Sequence, residues 1–180
     1  MNTLANKITI FRVLMIPVFL VLVYAGLPYW ALGVFIAASL SDFADGYVAR
    51  RYNQVTNFGK FMDPLADKVL VVAAMCFFVD VGRMPGWALA VVLLREFAVS
   101  GLRLVAVEQG RVIAAAKSGK VKTAVTMLCL CLMLATRAPG IGESAPDLPA
   151  QLSTALILLT TVYSGAEYFW KNRDVFKESK

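Results

Sequence analysis

The sequence predicts an all-α fold: an integral membrane bundle of six transmembrane helices with a polar cavity facing the cytoplasm. Three observations carry that prediction. Of 180 residues, 59% are hydrophobic and only 17% charged, with a mean hydropathy of +0.67, too apolar for an ordinary water-soluble domain. Apolar runs approaching the roughly 20 residues that a bilayer crossing needs recur six times between short connections. The basic residues, finally, gather on one side of those connections.

Each element follows from its breakers. The first span, near residues 9–26, follows MNTLANK and has no small-residue cleavage-like site behind its apolar stretch, so it reads as retained rather than removed. Gly26 and Pro28 end it, and the second span covers 29–50. The basic turn RRYNQVTNFGK leads into the third, 60–81, where Pro64 is tolerable if it lies in or near a first turn. VGRMPG separates that span from the fourth, 84–107. The polar stretch EQGRVIAAAKSGKVK precedes the fifth, 119–137, and RAPGIGESAPDLP precedes the sixth, 150–170. The tail KNRDVFKESK has mixed charge and reads as a solvated end. Residues 1–180 form a single membrane domain without internal repeats.

Charge sets the orientation. With the N-terminus in the cytoplasm, every Lys and Arg lies on the cytoplasmic side except Arg83 and Arg137 outside and Arg95 within the fourth span. This positive-inside pattern places both termini on the cytoplasmic face of a multi-pass protein of the cytoplasmic membrane. It also accounts for the net charge of +6 through contact with bilayer lipids, with no nucleic acid as partner, since no basic surface interleaved with aromatics is present. The chain has no His, which removes the commonest proton shuttle and the imidazole ligand of zinc and haem sites. Cys76, Cys129 and Cys131 sit in apolar runs and read as small packing residues.

Four of the twelve acidic residues crowd the cytoplasmic ends of spans two and three: Asp42, Asp45, Asp63 and Asp67. A carboxylate at the centre of an inserted helix is disfavoured by roughly 2.5–3.5 kcal/mol, so this cluster requires compensating charge. Asp42 and Asp45 stand at i and i+3, and Asp63 and Asp67 at i and i+4, so each pair shares a helix face. Four carboxylates without His or Cys make an all-oxygen environment suited to two divalent cations, Mg²⁺ or Mn²⁺, the arrangement that clamps a phosphoryl group during in-line displacement. Gly46 and Gly59 flank the pairs and would let a bulky diphosphate approach the backbone. Arg50, Arg51, Thr56, Asn57 and Lys60 offer donors to its oxygens. Salt bridges to neighbouring cations are the plainer reading, weakened by four aspartates at this spacing. An ion or proton pathway also uses intramembrane carboxylates, but here the outer halves of the spans are nearly uncharged.

The stretch from Asp42 to Asp67, DFADGYVARRYNQVTNFGKFMDPLAD, resembles the signature of the CDP-alcohol phosphotransferase family of membrane enzymes at every fixed position: Asp42, Asp45, Gly46, Ala49, Arg50, Gly59, Asp63 and Asp67. The resemblance implies transfer of the phosphoryl-containing part of a CDP-linked donor to an alcohol, with CMP leaving. It makes Asp42, Asp45 and Asp63 metal ligands, and Asp67 both a ligand and the general base. Gly46, Arg50 and Thr56 match positions that bind the CDP moiety, and NKIT, with Asn6 and Thr9, looks like the family's N-terminal contribution to that pocket. Arg12 follows on the same face if the segment is helical. A homodimer is also implied.

Further along, LLREFAVSGLR places Arg95, Glu96, Ser100 and Arg103 on span four, and AAAKSGKVKT places Lys117, Lys120, Lys122 and Thr123 at the start of span five. Cations at the membrane level of the aspartates make an anion pocket, although positive-inside bias and snorkelling explain part of the set. Arg95 is deep enough to call for a contact with Glu96 or an aspartate. These segments resemble those of bacterial family members whose acceptor is sn-glycerol 3-phosphate. The implied reaction joins CDP-diacylglycerol and glycerol 3-phosphate into phosphatidylglycerophosphate. Inositol phosphate or phosphatidylglycerol as acceptor, and a non-enzymatic transporter, are the alternatives. If Asp67 is the general base, Asp67→Asn should keep nucleotide binding while turnover falls by about 100-fold or more. Release of CMP at the wild-type rate by the purified variant would reject the assignment.

Overall fold

The computed structural model describes residues 4–52, 57–111, 113–114, 116–136 and 148–176, with side chains described over 10–41, 68–111, 113–114, 116–136 and 148–175. Six α-helices follow one another: α1 (Leu4–Tyr24), α2 (Pro28–Tyr52), α3 (Asn57–Asp80), α4 (Gly86–Glu108), α5 (Lys117–Ala135) and α6 (Leu148–Lys171). A short 3₁₀ turn, Arg173–Phe176, comes last. No strand occurs among the described residues. By length and composition, one helix of the described residues, Lys117–Ala135, is apolar enough to cross a membrane, and the apolar stretches Ile10–Tyr24 and Pro28–Ser41 are shorter.

The helices stop where local chemistry stops them. Gly26 has φ +74° and Gly82 φ +72°, left-handed values that a Cβ disfavours. In each case the following residue reaches back five positions, Leu27 N–H to Leu22 O at 3.0 Å and Arg83 N–H to Phe78 O at 2.9 Å, the closing pattern of a Schellman motif. The same reach, Arg111 N–H to Ala106 O at 2.8 Å, ends α4. Pro28 opens α2, where its missing N–H has no intrahelical partner to lose.

Helix α1 packs on α2 and α3, α6 packs on α5 and α4, and contacts of α2 with α5 and of α3 with α4 complete the bundle. The main core joins Phe19 and Val23 of α1, Phe35 of α2, Phe77 and Phe78 of α3, Leu130 and Met133 of α5 and Ile157 of α6. Phe19 and Phe35 lie 5.7 Å apart, and Tyr24 meets Phe77 edge-on at 5.1 Å, separations at which ring quadrupoles attract. Fully buried alanines at 31, 38, 74 and 88 let backbones approach closely. Large apolar side chains face outward on all six helices, among them Leu14, Trp30, Val69, Phe97, Leu128 and Leu159.

Three expectations need correction. Helix α3 starts at Asn57, so Pro64 falls in its third turn rather than its first. The tail is not wholly solvated: Val175 is buried in a second apolar cluster with Val99, Leu102, Ala106 and Tyr168, and Gln109 Nε2 donates to its carbonyl at 3.2 Å. Cys129 packs in the core as expected, but Cys76 is exposed on α3.

Arg83 fastens the loop after α3 to the end of α5. Its Nη1 donates to Met133 O at 2.8 Å and its Nη2 to Thr136 Oγ1 at 3.0 Å, supplying donors to the carbonyl end of a helix where the dipole favours a cation. Arg83→Ala should therefore lower stability by about 1–3 kcal/mol, read as a reduced melting temperature in detergent, with substrate constants unchanged.

Candidate functional site

Four helices build a cavity of about 260 Å³. Its charged lining is Lys68 of α3, Arg95, Glu96 and Arg103 of α4, and Lys120 and Lys122 of α5, with Tyr168 of α6 as one wall. Among the described residues, five cations thus face one carboxylate. The grouping follows from register: Glu96, Ser100 and Arg103 recur at helical spacing on α4, and α4 and α5 both lie against α6.

Glu96 is the hub. Its Oε1 accepts from Arg95 Nη1 at 2.9 Å and from Lys122 Nζ at 2.8 Å, while Oε2 lies 3.7 Å from Lys68 Nζ. The side chains of Arg95 and Lys122 are only 13% and 7% exposed, burial that an unpaired cation would not tolerate. Lys68 Nζ also donates to Ser100 Oγ at 2.7 Å, tying α3 to α4. Arg103 Nε donates to the Tyr168 hydroxyl at 2.9 Å, and its guanidinium lies 5.5 Å from the centre of that ring, within cation–π reach.

Two glycines make room for Arg95. A Cβ on Gly165 of α6 would stand 3.1 Å from Arg95 Cγ, and one on Gly119 of α5 would stand 3.6 Å from Nη2. The buried Nε of Arg95 and the Thr126 hydroxyl have no hydrogen-bond partner. Polar atoms in that condition are costly in a finished core and are expected where a polar ligand completes the site. A neighbouring cavity of about 400 Å³, with Arg111, Lys171 and Asn172 in its lining, shares Ala116 and Tyr168 with the first. There Lys171 is paired with Glu167 one turn earlier.

Of the residues expected to bind the acceptor, Arg95, Arg103, Lys120 and Lys122 come together in one cavity. Lys117 is exposed at the first position of α5 and is absent from that lining. The expected contact between Arg95 and Glu96 forms. From sequence Lys68 was read only as a cation able to pair with the aspartates, and Tyr168 and Gly165 were not singled out. A trace of the last two lay in SGAEY, small residues followed by an aromatic near the inner end of an apolar run.

Asp42, Asp45, Gly46 and Arg50 fall on α2, and Gly59, Asp63 and Asp67 on α3. Asn6 and Thr9 fall on α1, with Arg12 one turn further and buried. Of these, only Arg12 has its side chain among those described, and Thr56 lies outside the described residues altogether. Among the described residues no group of three or more His, Cys, Asp or Glu is present. The helical placement keeps each aspartate pair on one face, and α2 and α3 are in contact. An all-carboxylate donor set without His or Cys fits hard divalent cations. Asp67 directly precedes Lys68, and consecutive Cα atoms lie about 3.8 Å apart, so its backbone is one residue from the cavity wall.

A helical bundle that carries an aspartate signature on α2 and α3, with a cation-lined cavity adjoining α3, points to a class of phosphotransferase. Residues 2–164 match the family model described as CDP-alcohol phosphatidyltransferase, and the chain belongs to that family of enzymes. Among curated relatives, the CDP-diacylglycerol–glycerol-3-phosphate 3-phosphatidyltransferase of Bacillus subtilis (strain 168) is 41% identical, covering 99% of this chain and 100% of its own length. Proteins of the same name from Rickettsia typhi (strain ATCC VR-144 / Wilmington) and Escherichia coli (strain K12) are 34% and 39% identical. They cover 94% and 71% of this chain, and 96% and 74% of their own lengths.

Proposed function

We propose that this chain transfers the phosphatidyl group of CDP-diacylglycerol to sn-glycerol 3-phosphate, giving phosphatidylglycerophosphate and CMP. The observation that carries the reading is the cavity that gathers, among the described residues, five cations and one carboxylate, with Lys68, the residue after Asp67, in its lining. An acceptor that bears a phosphate before it reacts needs such a pocket next to the reacting centre. The relatives' names point to the same acceptor.

The chain works as a single six-span membrane domain, with both termini and the site on the cytoplasmic side of the cytoplasmic membrane. Helices of 19 to 25 residues at about 1.5 Å per residue suit a hydrocarbon core of about 30 Å, and the outward apolar side chains on every helix suit lipid. The positive-inside distribution supports the orientation. The same outward faces leave room for a second copy, as the family's homodimers require.

Asp42, Asp45, Asp63 and Asp67 would hold the divalent cations, Mg²⁺ or Mn²⁺. When bound, that pair neutralises the diphosphate and the charge that develops on the departing CMP oxygen. Asn6, Thr9, Gly46, Arg50, Thr56 and Gly59 would receive the nucleotide diphosphate. Arg95, Arg103, Lys120 and Lys122 hold the acceptor's phosphate, so that its free hydroxyl reaches the phosphorus attached to diacylglycerol. Asp67 takes the hydroxyl proton as the new O–P bond forms and the bond to the CMP oxygen breaks. Little covalent work falls to the protein, which positions the reactants and balances charge.

Purified protein given CDP-diacylglycerol, glycerol 3-phosphate and Mg²⁺ or Mn²⁺ should release CMP, and a chelator should stop it. No CMP from folded protein under these conditions rejects the reading, and a preference for inositol phosphate rejects the acceptor. Arg103→Ala or Lys120→Ala should each raise the apparent acceptor constant by about tenfold, the loss expected of one charge-assisted hydrogen bond, with the constant for CDP-diacylglycerol within about twofold. Lys117→Ala should move neither, and equal effects on both substrates from Arg103→Ala would remove it from the acceptor pocket.

A further inference from the structure

A carboxylate inside an anion pocket works against the pocket's own charge. Among the described residues, Glu96 is the only acidic side chain in the lining that holds Lys68, Arg95, Arg103, Lys120 and Lys122, and its negative charge repels any phosphate that enters. Pairing alone would be satisfied by a carboxylate anywhere along Arg95. Instead one atom, Oε1, accepts from both Arg95 and Lys122, at 2.9 and 2.8 Å, which joins a residue of α4 to one of α5. Arg95 is confined from the other sides as well, with Gly165 and Gly119 closing on its Cγ and Nη2. Lys122 is nearly enclosed, with 7% of its side chain exposed. The third partner, Lys68, is 3.7 Å from Oε2 and is anchored on Ser100, so the same carboxylate reaches the helix that carries Asp67.

From this geometry we propose that Glu96 is a positioning residue. It gives up part of the pocket's electrostatic attraction in order to fix Arg95 and Lys122 before the acceptor arrives. The acceptor's phosphate then meets donors of set separation, referenced through Lys68 to the helix of the proposed base. Lys122 spends one of its three donors on Glu96, so it retains capacity for phosphate oxygens. The inference rests on the proposed acceptor reading and adds to it a residue that does not itself bind the anion.

Two properties separate under this proposal: how strongly the pocket attracts an anion, and how productively it places one. Glu96→Gln removes the repulsion and loosens the clasp. In purified protein it should lower kcat/KM for glycerol 3-phosphate about tenfold or more, leave the apparent constant for CDP-diacylglycerol within about twofold, and leave competitive inhibition by inorganic phosphate equal or stronger. Glu96→Asp, which keeps the charge, should regain part of the loss. Gly165→Ala provides a second route, because its new methyl presses on Arg95 Cγ without touching Glu96, and it should lower acceptor kcat/KM with the CDP-diacylglycerol constant unchanged. The proposal is overturned if inorganic phosphate inhibition weakens in parallel with acceptor use in Glu96→Gln, or if both substrates suffer alike. It is equally overturned if Glu96→Gln and Gly165→Ala both turn over normally. Failure of the underlying reading is recognised separately, because the wild-type protein would then release no CMP with glycerol 3-phosphate.

Discussion

Buried charge must be answered by charge, and in this bundle the answer is concentrated at Glu96. Arg95 and Lys122 sit among helices whose other buried side chains, Arg12 of α1 apart, are apolar or small hydroxyl-bearing ones. Taken singly, either cation would be too costly to bury. Sharing one carboxylate oxygen, they become a cross-link between α4 and α5 in a region where the two helices otherwise meet through α6. Lys68 extends the cross-link to α3. The polar cavity therefore shapes the fold as well as occupying it, since among the described residues this cluster joins α3, α4 and α5 through polar contacts.

That division maps onto the order of the chain. The first three helices carry the aspartate signature and the last three carry most of the cavity's cations, so in the proposed reading each substrate of the transfer is met mainly by one half of the molecule. Lys68 is the exception, and an instructive one. It belongs to α3, one residue beyond Asp67, yet its partners Ser100 and Glu96 lie on α4. A transfer in line between two phosphates needs the halves registered to a fraction of an ångström, and a contact that crosses between them serves that need better than either half's internal packing.

Much of this was legible in the sequence, for identifiable reasons. The six helices fall within a few residues of the six apolar runs, because Gly26, Gly82, Gly110, Pro28 and Pro85 mark ends by backbone geometry that is purely local. The gathering of Arg95, Arg103, Lys120 and Lys122 in one cavity was legible because Glu96, Ser100 and Arg103 repeat at a helical interval, and Lys120 and Lys122 open the next helix. The rest depended on tertiary neighbours. Lys117 carries the same charge as Lys120, and only the rotation of α5 against α6 sets them apart. Tyr168 and Gly165 look like ordinary members of an apolar helix until α6 is seen to pack between α4 and α5. Pro64 was expected in a first turn because the helix start was read from hydropathy, whereas α3 begins earlier, in polar sequence at Asn57.

The presence of Glu96 also fits what a turnover enzyme needs from a phosphate pocket. The acceptor's phosphate is unchanged by the reaction and remains on the product, so attraction to it stabilises substrate, transition state and product about equally. Uniform attraction of that kind lowers KM without raising kcat and slows departure of the product. A pocket of five unopposed cations would err in that direction. Offsetting one of them with a carboxylate that also fixes the geometry of two others moves binding energy from mere retention toward alignment, the part that differs between ground state and transition state. Gly165 makes a related point by steric means: a Cβ there would stand 3.1 Å from Arg95 Cγ, so the space beside the Arg95 stem is kept open by leaving out a methyl group.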